Sequence, residues 1–166
     1  FNLSATTSSG LDISYTSSNT AVATISGNVV TIVGAGTTTI TASQAGNDSF
    51  NPAADVTQSL TISKASQAIT FTLETDANKV VGDAPFVLSA TGGASGNPVT
   101  FTSSDTDVAI ITDNTVTIVG EGTTTITASQ AGNDNFDPAA DVNQSLTVSK
   151  SQVTALPQNL KEAKVI

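Results

Sequence analysis

The sequence has no Cys, Met, Trp or His. Arg is missing too, so its five basic residues are all Lys, and a single Tyr, Tyr15, accompanies six Phe. Each absence removes a class of chemistry. Without Cys there is no disulfide, no thiol nucleophile and no thiolate ligand. Without His a serine nucleophile lacks its usual base and a zinc site lacks its usual nitrogen ligand. Without Trp there is no broad ring on which a sugar can stack, and the carboxylates fall mostly on loops rather than flanking a cleft, as glycoside hydrolysis requires. Gly34-Ala-Gly36 lies between strand-like runs, not ahead of a helix, so it does not read as a phosphate-binding loop. The expectation is that the chain is not an enzyme.

Positive charge is also scarce. Fourteen carboxylates against five lysines leave a net charge of −9. Affinity for nucleic acid depends on cations neutralising phosphates, and an anionic membrane surface makes the same demand. Neither partner suits this chain, which reads instead as having an acidic, self-repelling exterior. No apolar run approaches the ~18 residues of a membrane span, and no signal-peptide pattern is visible.

Thr, Ser, Ala, Val and Ile dominate what remains, and Thr, Val and Ile suit a pleated, half-buried surface. The organisation is a duplication. Residues 15–64 align with 101–150 at a constant offset of 86, with 38 of 50 positions identical. Both copies contain TTTITASQAGND, at Thr37–Asp48 and Thr123–Asp134. Upstream, Phe1-Asn-Leu-Ser-Ala matches Phe86-Val-Leu-Ser-Ala at an offset of 85, so the second copy has one extra residue in the loop Gly92–Gly96. A period near 86 is too long for a solenoid repeat and fits a β-sandwich of the immunoglobulin class.

In the second repeat, alternation and turn residues predict strands near 67–74, 85–91, 98–104, 108–112, 115–119, 123–130 and 142–149. Val116 and Ile118 share one face, as do Ile126 and Ala128, with threonines opposite. Gly27-Asn28 and Asp113-Asn114 predict two-residue hairpins. Gly34-Ala-Gly36 and Gly120-Glu-Gly122 predict turns where the chain crosses between sheets. The fold expected is all-β: tandem immunoglobulin-like sandwiches of about seven strands each, with no helix in either repeat.

Thr16-Ser-Ser-Asn-Thr-Ala-Val-Ala-Thr-Ile-Ser-Gly-Asn, then Val30-Thr-Ile-Val-Gly-Ala-Gly-Thr and Ile40-Thr-Ala-Ser, resemble bacterial immunoglobulin-like repeats. The resemblance covers residues 1 to about 150. It implies a secreted or cell-surface setting and a spacer or adhesive array of the kind found in adhesins, with neighbouring repeats of the same chain as partners. It implies no particular ligand. Alternative functions are a module that binds a cell-surface glycan or protein, and an accessory module of a secreted enzyme. Scarce Tyr and absent Trp weigh against recognition, since binding surfaces are enriched in both.

The domains read from the repeat are 1–64, 65–150 and a tail, 151–166. The first repeat lacks a counterpart of Ala65–Pro85, including the first strand. The expectation is a piece of a longer array; the alternative is a strand from another chain pairing along the Phe1–Ala5 edge. The linker Lys64-Ala-Ser-Gln67 has neither Gly nor Pro and predicts a semi-rigid, end-to-end rod. In the tail, Val153–Pro157 departs from the repeat and 158–166 has no counterpart. It weakly resembles the opening of a fibronectin type III domain, and a strand or helix docked on the second repeat is the alternative.

Three features merit a functional reading. In the loop Ala131–Asp141, Asp134, Asp137, Asp141 and Asn133 offer oxygen ligands of the kind calcium takes. The first repeat offers fewer, from Asp48, Asp55, Asn47 and Asn51. The competing reading is that the loop makes Asx-turns, with Phe136 and Phe50 plugging the core end. The rows Thr37/Thr39/Thr41 and Thr123/Thr125/Thr127 invite comparison with ice-binding surfaces, but outward Thr is the ordinary choice on a twisted sheet. Lys64, Lys79 and Lys150 are candidates for an isopeptide cross-link. Lys64 and Lys150 also read as ordinary charged residues at domain ends, and Lys79 reads as part of a loop.

Overall fold

The computed structural model describes residues 1–73 and 78–151. Among them every helix or strand is a strand. The first repeat contains β1 (Ser14–Ser17), β2 (Ala23–Ser26), β3 (Val29–Ile32), β4 (Gly36–Ser43) and β5 (Val56–Ile62). The second contains β6 (Thr70–Phe71), β7 (Asn78–Val80), β8 (Phe86–Val87), β9 (Ala90–Thr91) and β10 (Val99–Ser103). It continues with β11 (Ala109–Thr112), β12 (Thr115–Ile118), β13 (Gly122–Gln130) and β14 (Val142–Ser149). The expectations for Glu74 and for the tail segments 153–157 and 158–166 lie outside the described residues.

By compactness the chain forms two units. The first comprises Phe1–Ala68, Gly92–Pro98 and Gln130–Ala140; the second comprises Ile69–Thr91, Val99–Ser129 and the chain from Asp141. In the first unit one sheet has the order β1-β4-β5 and another pairs β2 with β3. Asn2 bridges Val29, and the Leu3 amide donates to the Asn28 carbonyl at 2.7 Å. Val22, Ala23, Val30 and Ile40 are buried.

The second unit contains a four-stranded sheet, β10-β13-β14-β7, a three-stranded sheet, β11-β12-β8, and the pair β6-β9. Its core draws on several sheets: Ile126, Leu146 and Val148 come from the four-stranded one, Ala109 and Val116 from the three-stranded one. Phe71, from β6, is buried 5.2 Å from the Phe101 ring. Several sheets, none closed into a barrel, with buried side chains alternating along their main strands, are the components of a layered β-sandwich. Because side chains alternate with period 2, each buried aliphatic leaves its strand neighbour to solvent, and threonine fills many of those outward positions.

Both expected hairpins form. Ser26 faces Val29 across Gly27-Asn28, and Thr112 faces Thr115 across Asp113-Asn114. The first loop residue has positive φ in each, 59° at Gly27 and 55° at Asp113. Asp tolerates that region better than most residues with a side chain. The Gly-X-Gly turns also do what was expected. Gly34–Gly36 lies between β3 and β4, and Gly120–Gly122 between β12 and β13, and in each case the two strands belong to different sheets.

The structure corrects three strand readings. The span expected over 85–91 is split: β8 pairs with β12 while β9 pairs with β6. Of the strand expected at 67–74, the ladder keeps only Thr70–Phe71. Lys79, read as a loop residue, lies in β7, which runs parallel to β14 with Thr147 opposite Asn78 and Ser149 opposite Val80. Its ammonium stands 5.0 Å from the centroid of the Phe86 ring, a cation–π distance.

Each repeat buries a threonine hydroxyl. Thr124 is fully buried, and its Oγ1 accepts the Asp105 amide at 3.0 Å while sharing a hydrogen bond with Ser103 Oγ at 2.8 Å. Ser104 Oγ in turn accepts the Thr125 amide at 2.9 Å. The first repeat has the same arrangement: Thr38 accepts the Asn19 amide at 3.0 Å, Ser17 Oγ lies 2.8 Å away, and Ser18 accepts the Thr39 amide. A buried donor that loses its acceptor bears its full desolvation cost. Thr124→Val, which keeps the shape and removes the hydroxyl, is therefore expected to cost about 1–3 kcal/mol in urea unfolding. Thr123→Val, on the exposed side of the same strand, is expected to stay within about 0.5 kcal/mol of the parent.

Candidate functional site

The loop with the most polar chemistry is Ala131–Asp141. It is organised by Asn133, whose Oδ1 accepts the amides of Asn135 at 2.8 Å and Phe136 at 3.0 Å. The Asn133 amide returns a bond to the Phe136 carbonyl at 2.9 Å. This closed turn needs glycine before it, because a Cβ on Gly132 would lie 2.2 Å from the Phe136 carbonyl oxygen. The first repeat builds the same turn: Asn47 Oδ1 accepts the amides of Ser49 at 2.9 Å and Phe50 at 3.0 Å.

Of the residues considered as calcium ligands, Asn133 and Asn47 thus direct their side-chain oxygens to backbone amides. Asp134, Asp137 and Asp141 are exposed, as are Asp48, Asp55 and Asn51. Among the described residues no three or more carboxylates gather as a metal site would require.

What the loop does hold is polypeptide, all of it within the first unit. Ala65 bridges Phe136 in parallel register: its amide donates to the Asn135 carbonyl at 2.9 Å, and its carbonyl accepts the Asp137 amide at 2.9 Å. Lys64 Nζ donates to the Asn133 carbonyl at 2.7 Å. Asn135 Oδ1 accepts the Ala35 amide at 2.9 Å. Gln67 Nε2 donates to the Ala131 carbonyl at 3.2 Å, and its Oε1 accepts the Ser95 amide at 2.9 Å. Nearby, buried Gln130 bonds both the Gly93 amide and the Asn97 carbonyl at 2.7 Å. Sequence reasoning missed Asn135. Its signal was present: position 135 is one of twelve differences between the copies, with Ser49 in the first repeat.

The other candidates are accounted for locally. Thr37 pairs with Thr61 across β4 and β5 at 3.3 Å, Thr123 with Thr147 at 3.4 Å, and Thr127 Oγ1 donates to Asn143 Oδ1 at 2.7 Å. Lys150 forms an exposed ion pair with Glu121 at 3.2 Å, a contact worth little in water.

Sequence reasoning also missed a groove of about 520 Å³ in the first unit. Its walls include Ala5, Tyr15, Ala42, Phe50, Val56 and Gln58. Phe50, expected to plug the core, is half exposed on this wall, whereas Phe136, bridged by Ala65, is half-buried.

Two outcomes follow from this geometry. Calcium at millimolar concentration is expected to leave the melting temperature unchanged; a rise would mean that the aspartates gather around the ion. Asn135→Ala is expected to cost about 1 kcal/mol and to speed hydrogen exchange at the Ala35 amide, read by NMR.

Neither a protein-family model nor a curated protein matches the chain. Two solved structures are similar to it at 22% identity. The crystal structure of the S-layer protein rSbsC(31-844) aligns over 83% of this chain and 20% of its own, with a TM-score of 0.35. The structure of surface layer protein SbsC, domains 1-6, aligns over 87% of this chain and 21% of its own, with a TM-score of 0.37. The chain therefore spans about a fifth of the length of the structures it matches.

Proposed function

We propose that this chain is a structural spacer: tandem immunoglobulin-like sandwiches that hold a functional part of a secreted or cell-surface bacterial protein at a distance. It performs no catalysis and needs no cofactor. The observation that carries the reading is the bonded linker. Lys64, Ala65 and Gln67 each bond to the loop at 131–137, with three of the bonds to main-chain oxygens. Bonds along both its main chain and its side chains hold this segment to the loop, and a spacer is served by connecting segments that are held rather than free.

The composition supports the same function. Strong negative charge keeps a long array soluble, and surfaces rich in Thr and Ser are poor in the aromatic anchors that recognition favours. Small-angle scattering of the two-repeat chain tests the proposal. An extended particle is expected, and Lys64-Ala-Ser-Gln67 replaced by Gly-Ser-Gly-Ser should broaden its distance distribution. A compact side-by-side pair, or specific retention on a glycan array, would replace the spacer reading with that of a binding module.

A further inference from the structure

The contact between the loop at 131–137 and the earlier chain has a polarity. The Lys64 ammonium, the Ala65 amide, the Gln67 side-chain amide and the Ala35 amide all donate into the loop. Their acceptors are the carbonyls of Asn133, Asn135 and Ala131 and the side-chain oxygen of Asn135. One bond returns, from the Asp137 amide to the Ala65 carbonyl. The exposed carboxylates of Asp134 and Asp137 belong to the same loop. A face of acceptors and negative charge fits a surface of donors that brings no carboxylate of its own. All of these residues lie in the first unit.

The Gly34-Ala-Gly36 turn meets that requirement through one position. Asn135 seats closely on the turn, since a Cβ on Gly34 would lie 2.9 Å from Asn135 Oδ1. Ala35 is small, uncharged and half-buried, and it leaves Lys64 to reach the Asn133 carbonyl at 2.7 Å. The second repeat has the same lysine, Lys150, and the same turn with a carboxylate at its centre, Gly120-Glu-Gly122. There the lysine binds its own turn, 3.2 Å from Glu121. The backbone does not change with the side chain. Val33 and Gly34 donate to the Val22 carbonyl at 2.9 and 3.3 Å, and Val119 and Gly120 donate to the Val108 carbonyl at the same distances. The loop offers a matching comparison: Ser49 stands where the second repeat has Asn135, and the Asn47 turn closes around it as the Asn133 turn closes around Asn135.

We infer that positions 35 and 135 are the specificity determinants of this contact. A small, uncharged residue at 35 leaves the lysine to the loop, and an asparagine at 135 takes the amide of the turn. A carboxylate at 35, as at 121, draws the lysine back onto its own turn and sets negative charge against Asp134 and Asp137. The surface that the loop fits is thus a Gly-Ala-Gly turn with its lysine, not a Gly-Glu-Gly one. The assignment concerns this contact alone and does not rest on the spacer reading; its test reads local protection, which can fail while the scattering result stands.

That test is amide hydrogen exchange of the intact chain, read by NMR as protection factors. Ala35→Glu is expected to lower protection about fivefold at the amides of residue 35, Ala65 and Asp137, the upper range for an exposed pair of charges. Salt at about 1 M should restore most of it. Ala35→Gln, of similar size and without charge, is expected to stay within about twofold of the parent. Asn135→Ser should lower protection at residue 35 alone, by removing its acceptor. Because both changes act on one bond, the double variant should be no worse at residue 35 than the worse single variant. Each substitution installs the residue that the equivalent turn of the other repeat already carries, and the Asp105 amide, held by Thr124, should keep its protection throughout. Unchanged protection in Ala35→Glu, an equal loss in Ala35→Gln, or additive losses in the double variant would overturn the assignment.

Discussion

The molecule depends on the register of one strand. Along β13, every second residue from Thr124 to Gln130 points inward, and all four are buried. The two middle ones, Ile126 and Ala128, are apolar; the two end ones are polar and find dedicated partners. Thr124 satisfies the Asp105 amide, and Gln130 satisfies the Gly93 amide and the Asn97 carbonyl. A slip of one residue would turn the whole inward row to solvent and leave those groups buried without partners. Aliphatic burial excludes that slip too, but a slip of two residues keeps the same face inward, and there only the placed hydrogen bonds tell the registers apart. The hydrogen-bonded ends fix what the apolar middle only favours.

The same row runs through β4 and on to Gln44, with Thr38, Ile40 and Gln44 buried, yet Ala42 between them is only half-covered. Identical sequence thus gives unequal burial, and the cause lies outside the strand. Ala128 and Leu146 are buried in the second repeat, whereas Ala42 and Leu60, at the same places in β4 and β5, are only half-buried. Burial here is a property of the neighbourhood, and the duplication makes that visible without any mutation.

This explains which features could be read from the sequence. Hairpins at Gly27-Asn28 and Asp113-Asn114 were legible because a two-residue turn is set by local chemistry. The sheet crossings at Gly34–Gly36 and Gly120–Gly122 were legible for the same reason, since paired glycines mark a backbone that must change direction. β7 was not: Asn78-Lys-Val has neither length nor alternation, and it becomes a strand only because β14 offers an edge in parallel. The roles of Thr38 and Thr124 were hidden inside runs of three threonines, where the sequence gives no sign of which hydroxyl turns inward. At the loop, the Asx-turn at Asn133 was legible, but the loop's hydrogen bonds to Lys64 and Ala65, some seventy residues earlier, were not. The groove of the first unit was not legible, because its walls come from segments far apart in sequence and could be named only once the sheets were assembled.

The parallel alignment of β7 with β14 has a mechanical consequence. Tension drawing the chain before Asn78 one way and the chain after Ser149 the other would slide the two strands lengthwise past each other. The contacts joining Asn78, Lys79 and Val80 to Thr147, Val148 and Ser149 would then share the load and yield together instead of peeling open one by one. Rupture under pulling is governed by the barrier to opening rather than by equilibrium stability. A three-residue strand is thereby placed where a lengthwise pull loads all of its ladder at once.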